Sequence, residues 1–344
     1  MLADTYLKRG TEVKRSSLHT LNDWYPVAID VDTETTPAAL WWRCLGQRRL
    51  TAAFFEDNFA AQSAAERRVC RTPLSVLGDL PAAVPPTAFI FHVSRCGSTL
   101  LSQMLTTLAH CIVVSEPPVL DAFFRLHQQY PQRSGGAHTL RLLIAALGQR
   151  RYGESHFFVK LDSWHMPWLA WLRQVFPATP FVLLYRDPVQ VLESHRRQRG
   201  AHMVPGLVDV SRLELDTSGL APGELEGYGE RVLTGVFNAA VASAAAQNVR
   251  LLNYEQLPSI VWTDLLGQWG VPCSGQQRST LQARAGFHAK QSNKVYAGDQ
   301  APPAPPAATA PTPTPIPTQS VALSQALAAY AGLEALRRNC RLDG

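Results

Sequence analysis

The sequence holds no uninterrupted apolar span long enough to cross a bilayer, and its first ten residues, Met1 to Gly10, lack the apolar stretch of a secretory signal. Both absences predict a cytoplasmic protein. Charge is sparse, at 17% of the residues. The net charge of +5 is spread along the chain and forms no basic block, which argues against nucleic acid as a partner and stays compatible with an anionic ligand. The six cysteines (Cys44, Cys70, Cys96, Cys111, Cys273 and Cys340) show neither close pairing nor zinc-ligand spacing. They read as reduced thiols that fill the core, and no metal is expected. No internal repeat stands out. With 344 residues, 46% of them hydrophobic, the chain can bury one large core or two smaller ones.

What is present is organised around residues 89–101. Phe89-Ile90-Phe91-His92-Val93 is an apolar, β-favouring run, Ser94 to Thr99 form a short polar loop, and Leu100, Leu101, Met104, Leu105 and Leu108 recur at helical spacing. A loop between strand and helix aims backbone N–H groups and the positive end of a helix dipole at one point, which suits a phosphate or sulfate. Gly97 lets the backbone approach the anion, Ser98 and Thr99 add hydroxyls, and Arg95 adds fixed charge. By itself the loop fits an anion site or a plain structural turn equally well. It lacks the Gly-Lys-Ser/Thr ending of a nucleoside triphosphate P-loop, which disfavours an ordinary ATPase or GTPase.

Along the chain, residues 1–85 read as an irregular accessory or cap region rich in aromatics, with a strand at Leu40 to Leu45. A packing extension and a substrate-selecting lid are the two readings of it. Pro81, Pro85 and Pro86 precede the central domain, residues 86–300. There, strands are predicted at Cys111–Val114, His156–Leu161, Phe181–Tyr185 and Val249–Tyr254. Helices are predicted near 118–129, 139–150 and 258–269, after Met166, after Pro188 and up to Gln247. Asp187-Pro188 is a helix start, with Asp187 as N-cap and Pro188 at the first helical position. Residues 301–319 are a Pro/Ala/Thr linker, and 320–344 carry a last helix patterned by Leu323, Leu327, Tyr330 and Leu333. The fold class is α/β, a P-loop-type, mostly parallel sheet flanked by helices on both sides. Ligands in such folds sit beyond the carboxyl ends of the strands. Arg95, Glu116, Lys160, Arg186 and Tyr254 all fall at or just past such ends.

Together these stretches resemble the sulfotransferase superfamily that uses 3′-phosphoadenosine-5′-phosphosulfate (PAPS), over roughly residues 88–300. Ser94-Arg95-Cys96-Gly97-Ser98-Thr99-Leu100-Leu101 is similar to the family's 5′-phosphosulfate loop, in its bacterial and tyrosylprotein-sulfotransferase style. Arg186-Asp187-Pro188, with Ser194 eight residues after the arginine, is similar to the 3′-phosphate motif. The pair is more specific than either half. Arg186 leaves a strand and Ser194 lies about 9 Å along the next helix from Pro188, so both can reach one phosphate. The resemblance implies an adenine contact for Tyr254, where a core tyrosine is the competing reading. It also implies a cofactor-closing loop at Lys290 to Tyr296, where the family's Arg-Lys-Gly is absent and only Lys290 and Lys294 remain as candidates.

The implied reaction is transfer of a sulfuryl group from PAPS to a hydroxyl or amine, a loose in-line displacement that needs no metal. Arg95, Lys160 and the loop amides are expected to stabilise the departing phosphate. Glu116, Asp162 and His165 compete as the base. Glu116 is favoured because it leaves Lys160 free to bridge the transferred group, with Asp162 then positioning or binding the acceptor. A helix cap at Pro117 or Pro118 is the structural alternative for Glu116. The acceptor, whether small molecule, carbohydrate, lipid or peptide, is not readable. A non-catalytic adenine-nucleotide-binding protein of the same fold, or a nucleotide-dependent kinase, are the competing functions.

Overall fold

A computed structural model describes residues 6–18, 20–30, 38–288, 291–295 and 320–339. The first region is more ordered than its sequence suggests. Strands β1 (Thr11–Glu12), β2 (Trp24–Asp30), β3 (Ala39–Cys44) and β4 (Arg68–Pro73) form a sheet in the order β1-β4-β3-β2. Only β3 was legible as a strand. Pro26 obscures β2, yet that strand is an edge, and its register shifts between Pro26 and Ala28, where a bulge accommodates the missing N–H.

The central sheet has β5 (Ala88–His92), β6 (Cys111–Ser115), β7 (His156–Lys160), β8 (Phe181–Tyr185) and β9 (Arg250–Asn253), in the order β6-β7-β5-β8-β9. All four pairings are parallel. Every residue of β5, β6 and β8 is buried, as expected for strands covered on both faces. The chain leaves β5 toward β6 on one side and later reaches β8 on the other. The topological switch therefore lies beyond the carboxyl end of β5, where open α/β sheets hold their ligands.

The helices that matter for the site follow these strands: α1 (Ser98–Leu105), α2 (Pro118–Gln129), α3 (Gly136–Leu147), α4 (Leu169–Val175), α5 (Pro188–Arg197), α6 (Leu225–Ala246), α7 (Gly275–Ala285) and α8 (Val321–Asn339). At the start of α5 the Asp187 carboxylate accepts from the N–H groups of Val189 and Gln190, the cap its sequence predicts. Two boundaries differ from the sequence pattern. Pro167 holds Ser163–Trp168 as a 3₁₀ turn, so the α-helix begins only at Leu169, and the segment near 258–269 is a π-turn at Val261–Leu265 running into Leu266–Gln268. Helix α8 docks on α6, burying Ala326 and Leu333, and Thr234 Oγ1 donates to the Ala322 carbonyl at 2.7 Å. The expected linker lies outside the described residues. Among the described residues no helix is long and apolar enough to cross a membrane.

Candidate active site

The loop after β5 curls because three of its residues take left-handed backbone: Ser94 (φ 72°), Arg95 (φ 49°) and Gly97 (φ 83°). Successive turns of this hand aim N–H groups inward and form an anion-binding concavity. For Ser94 and Arg95 the conformation costs about 1–3 kcal/mol each, so the surroundings must hold it. They do so from several sides. The Ser94 N–H donates to His92 Nδ1 at 3.0 Å, Ser94 Oγ lies 3.1 Å from His195 Nε2, and Arg186 Nη1 donates to the Arg95 carbonyl at 3.4 Å. Cys96 turns inward, its thiol donating to the Leu184 carbonyl at 3.3 Å, and burial pushes that thiol up to about 11. It pins the loop and offers the cavity no reactive sulfur. At Gly97 an added Cβ would meet Leu257 Cδ1 at 2.6 Å and Tyr254 Cδ2 at 3.0 Å, so a side chain there is strained and must displace Leu257.

One wall is a charged cluster at the ends of β5, β6 and β7. Lys160 is fully buried, and its Nζ donates to Glu116 Oε1 at 2.5 Å and to Thr99 Oγ1 at 3.3 Å. The same ammonium lies 5.3 Å from the centre of the Phe54 ring. His92 Nδ1 is occupied by the Ser94 N–H, which puts the ring hydrogen on Nε2, 3.2 Å from Glu116 Oε1. Burial alone would raise the Glu116 carboxyl, but Lys160 and His92 outweigh it and hold the group well below the ordinary carboxylate range. Burial also lowers the His92 imidazole. Asp162 stands behind Glu116. Its burial, followed by the charges of Glu116 and Asp121, raises its carboxyl well above the ordinary value. His165 does not face the cavity: its Nε2 lies 3.1 Å from Asp121 Oδ1, the oxygen that also accepts from Trp164 Nε1 at 2.9 Å. Helix α2 has Pro117 at its N-cap with no side-chain cap bond, so Glu116 is not spent on capping, and its own φ of 54° turns it out of the strand.

The opposite wall comes from β8, α5 and the turn after β9. Arg186 is buried, its guanidinium lies 4.1 Å from the centre of the Tyr254 ring, and its Nε donates to Gln190 Oε1 at 2.8 Å. Ser194 stands on the cavity-facing side of α5. Arg95 reaches across the rim to the Gln198 carbonyl, and burial lowers its guanidinium. His195, next to Ser194, accepts from the Gly200 N–H at 3.2 Å through Nδ1, so its Nε2–H donates to Ser94 Oγ.

These walls enclose one cavity of about 460 Å³. Of the residues expected from sequence, Arg95, Cys96, Gly97, Ser98, Thr99, Leu100, Glu116, Arg186, Ser194 and Tyr254 line it. Lys160 and Asp162 sit behind the wall, reaching it only through Glu116 and Thr99. Lys290 and the side chain of Lys294 lie outside the described residues. The sequence reading missed Phe54, His92, His195 and His202, which line the space together with Trp164. His92 had a signal, since it closes a strand two residues before the loop. Phe54 had none.

No family model matches the chain, and a search of curated proteins finds no match. Among solved structures, the sulfotransferase STF1 from Mycobacterium tuberculosis superposes with a TM-score of 0.36 at 14% identity, over 63% of this chain and 77% of that one.

Proposed function

We propose that the chain is a sulfotransferase that binds PAPS in the cavity beyond β5 and moves its sulfuryl group to a hydroxyl or amine. The observation that carries this reading is the arrangement of one cavity between two cationic poles. The curled Ser94 to Thr99 loop, with Lys160 behind it, stands at one, and Arg186 with Ser194 and the Tyr254 ring at the other. That spacing of an anion cradle, an aromatic face and a second anion site suits a nucleotide with phosphate groups at two ends. The loop has no Gly-Lys-Ser/Thr ending for a magnesium triphosphate.

In this reading the loop N–H groups, Ser98 and Thr99 hold the 5′-phosphosulfate, while Arg186 and Ser194 hold the 3′-phosphate. Lys160 is shared. Free, it is committed to Glu116; with an anion in the loop it gains a second partner beside Thr99. Drawing the ammonium toward the leaving phosphate removes the main attraction that depresses Glu116, whose burial then raises its basicity. The carboxylate becomes a competent base for the acceptor proton as charge builds on the leaving group. Asp162, whose carboxyl is bonded to that of Glu116, positions it from behind.

The test is calorimetric titration with 3′,5′-adenosine bisphosphate and with magnesium-ATP, followed by a labelled-sulfate transfer assay over phenol, sugar and amine acceptors. Binding of the bisphosphate, and transfer abolished in Glu116→Gln, are expected. Tight magnesium-ATP binding would point to a kinase. Bisphosphate binding without transfer to any acceptor would leave a nucleotide-binding protein.

A further inference from the structure

A second cluster of reactive side chains lies at the other end of the central sheet, at the amino ends of β6 and β7. Cys111 opens β6, His156 opens β7, and the two are register partners in the parallel ladder. His110 immediately precedes Cys111, and its carbonyl accepts the N–H groups of Ser155 at 3.0 Å and His156 at 3.2 Å. One ligating atom each from His110, Cys111 and His156 falls within 4.8 Å of the other two. The two imidazoles stand edge to face with centroids 5.6 Å apart. A five-residue strand rises about 16 Å, so this cluster is separated from Glu116 by the length of the sheet.

Two further observations point to a ligand. Both rings are tethered by carbonyls of one loop: His156 Nε2 donates to Gly270 at 3.2 Å, and the His110 ring donates to Pro272. A metal-bound histidine is usually oriented in this way, with one ring N–H pinned by a carbonyl, and the remaining nitrogen of His156, Nδ1, accepts from the Ser155 hydroxyl at 2.9 Å, a bond the ion would displace. His110 Nε2 is buried and, among the described residues, has no hydrogen-bond partner. The same loop carries Cys273, next to Pro272, with its sulfur outside the 4.8 Å set.

We propose that His110, Cys111 and His156 bind a divalent cation of the zinc class, with Cys273 closing the fourth corner. Two imidazoles and two thiolates, with no carboxylate, form a borderline-soft set that selects zinc or cobalt over magnesium or calcium. Tetrahedral bonds of about 2.0–2.3 Å place ligands roughly 3.6 Å apart, so closure asks His110, Cys111 and His156 to move by about 1 Å each, with the Cys273 loop drawn in behind them. Binding deprotonates the thiols. Burial otherwise pushes Cys111 up to about 12, with the Cys273 charge adding to it. The ion would fasten the amino ends of β6 and β7 to the 270–273 loop, a structural staple remote from the transfer chemistry. No short spacing announces it, because the ligands are drawn from positions 110–111, 156 and 273.

The full-length protein, stripped with chelator and titrated with cobalt(II), is expected to bind one equivalent with tetrahedral visible bands and a thiolate charge-transfer band. Zinc should displace the cobalt and raise Tm where magnesium does not. Cys111→Ser should abolish most of the charge-transfer band, Cys273→Ser should lower it, and His156→Gln should weaken binding by about tenfold or more. Because His156 is half-buried, its variant keeps the test usable if Cys111→Ser does not fold. Absence of a one-to-one cobalt complex, or a charge-transfer band unchanged in Cys111→Ser, overturns the site. An unchanged band in Cys273→Ser removes the fourth corner. Binding of 3′,5′-adenosine bisphosphate should be the same in the metal-binding variants, so this outcome and that of the transfer assay are read separately.

Discussion

The Lys160–Glu116 pair offers a quantitative test of the charged wall. Lys160 is fully buried, while the Glu116 side chain is 20% exposed, so the pair is desolvated mainly on the lysine side. Removing one member of a buried pair typically costs about 3–5 kcal/mol, because the other charge is left without its partner. For Glu116→Gln the low end applies, since Thr99 Oγ1 at 3.3 Å and the Phe54 ring at 5.3 Å still face the ammonium. For Lys160→Met the expected loss is ~2–3 kcal/mol, as Glu116 keeps His92 at 3.2 Å and some water. The double variant removes both charges and should lose only ~1–2 kcal/mol, a coupling of roughly 3–4 kcal/mol. With an unfolding entropy near 2.1 cal/mol/K per residue, 344 residues give about 1.4 °C per kcal/mol. The single variants should therefore melt about 3–5 °C below the parent, and the double variant within about 3 °C of it, by differential scanning calorimetry at pH 7.5. If the two single losses simply add in the double variant, Lys160 and Glu116 are independent and the relay built on their contact falls.

The raised Asp162 carboxyl makes the opposite demand on stability. A carboxyl raised by folding favours the native state below its unfolded value of about 3.9 and loses that contribution as pH rises, so Asp162→Asn should raise Tm at pH 7.5 and leave it unchanged near pH 3.5 in thermal melts. Glu116 has the reverse sign: its depressed carboxyl contributes stability that is fully present above the unfolded value of about 4.3 and is lost progressively as pH falls below it, while Glu116→Gln shows no such acid-dependent loss. Gly97→Ala, strained at φ 83° and blocked by Leu257 and Tyr254, should cost ~1–3 kcal/mol and weaken bisphosphate binding in the same titration; unaltered affinity would detach the loop from the ligand. Ser194→Ala should weaken 3′,5′-adenosine bisphosphate about tenfold and leave 5′-AMP unaffected, and equal weakening of both by calorimetry would misplace the 3′-phosphate.

The central sheet was readable because its strands are buried on both faces and therefore written as unbroken apolar runs, such as Phe181 to Tyr185. Their carboxyl ends were marked by polar residues that had no reason to follow such runs unless they served a site. The first sheet hid because its strands are mixed: β4, Arg68-Val69-Cys70-Arg71-Thr72-Pro73, exposes three residues of six and ends in proline, which reads as loop. The site divides along a similar line. Arg186 and Ser194 lie within one turn-helix unit, and the Ser94 to Thr99 loop is contiguous, so local spacing revealed both. The web joining His92, Glu116 and Lys160 is assembled by strand pairing that sets Ile90 beside Lys160 and Ser115 beside Lys160, and no local pattern encodes it.

Phe54 shows why the missing part matters for chemistry. It belongs to the accessory region, yet its ring lies over Lys160, and the next residue, Phe55, donates its N–H to the Ser115 carbonyl at the end of β6. The carboxyl end of β6 is where Glu116 leaves the sheet with a left-handed turn, a conformation that costs energy unless its neighbours are fixed. The segment between β3 and β4 therefore acts on the charged wall twice, through an aromatic face against the ammonium and through a backbone bond that anchors the strand before the carboxylate. A ring over a buried ammonium lowers the cost of keeping it charged with the ligand absent. It does so without offering an oxygen that would compete with an incoming anion. In the proposed reaction Lys160 then transfers its interaction from Glu116 to the phosphosulfate with the Phe54 ring still against it.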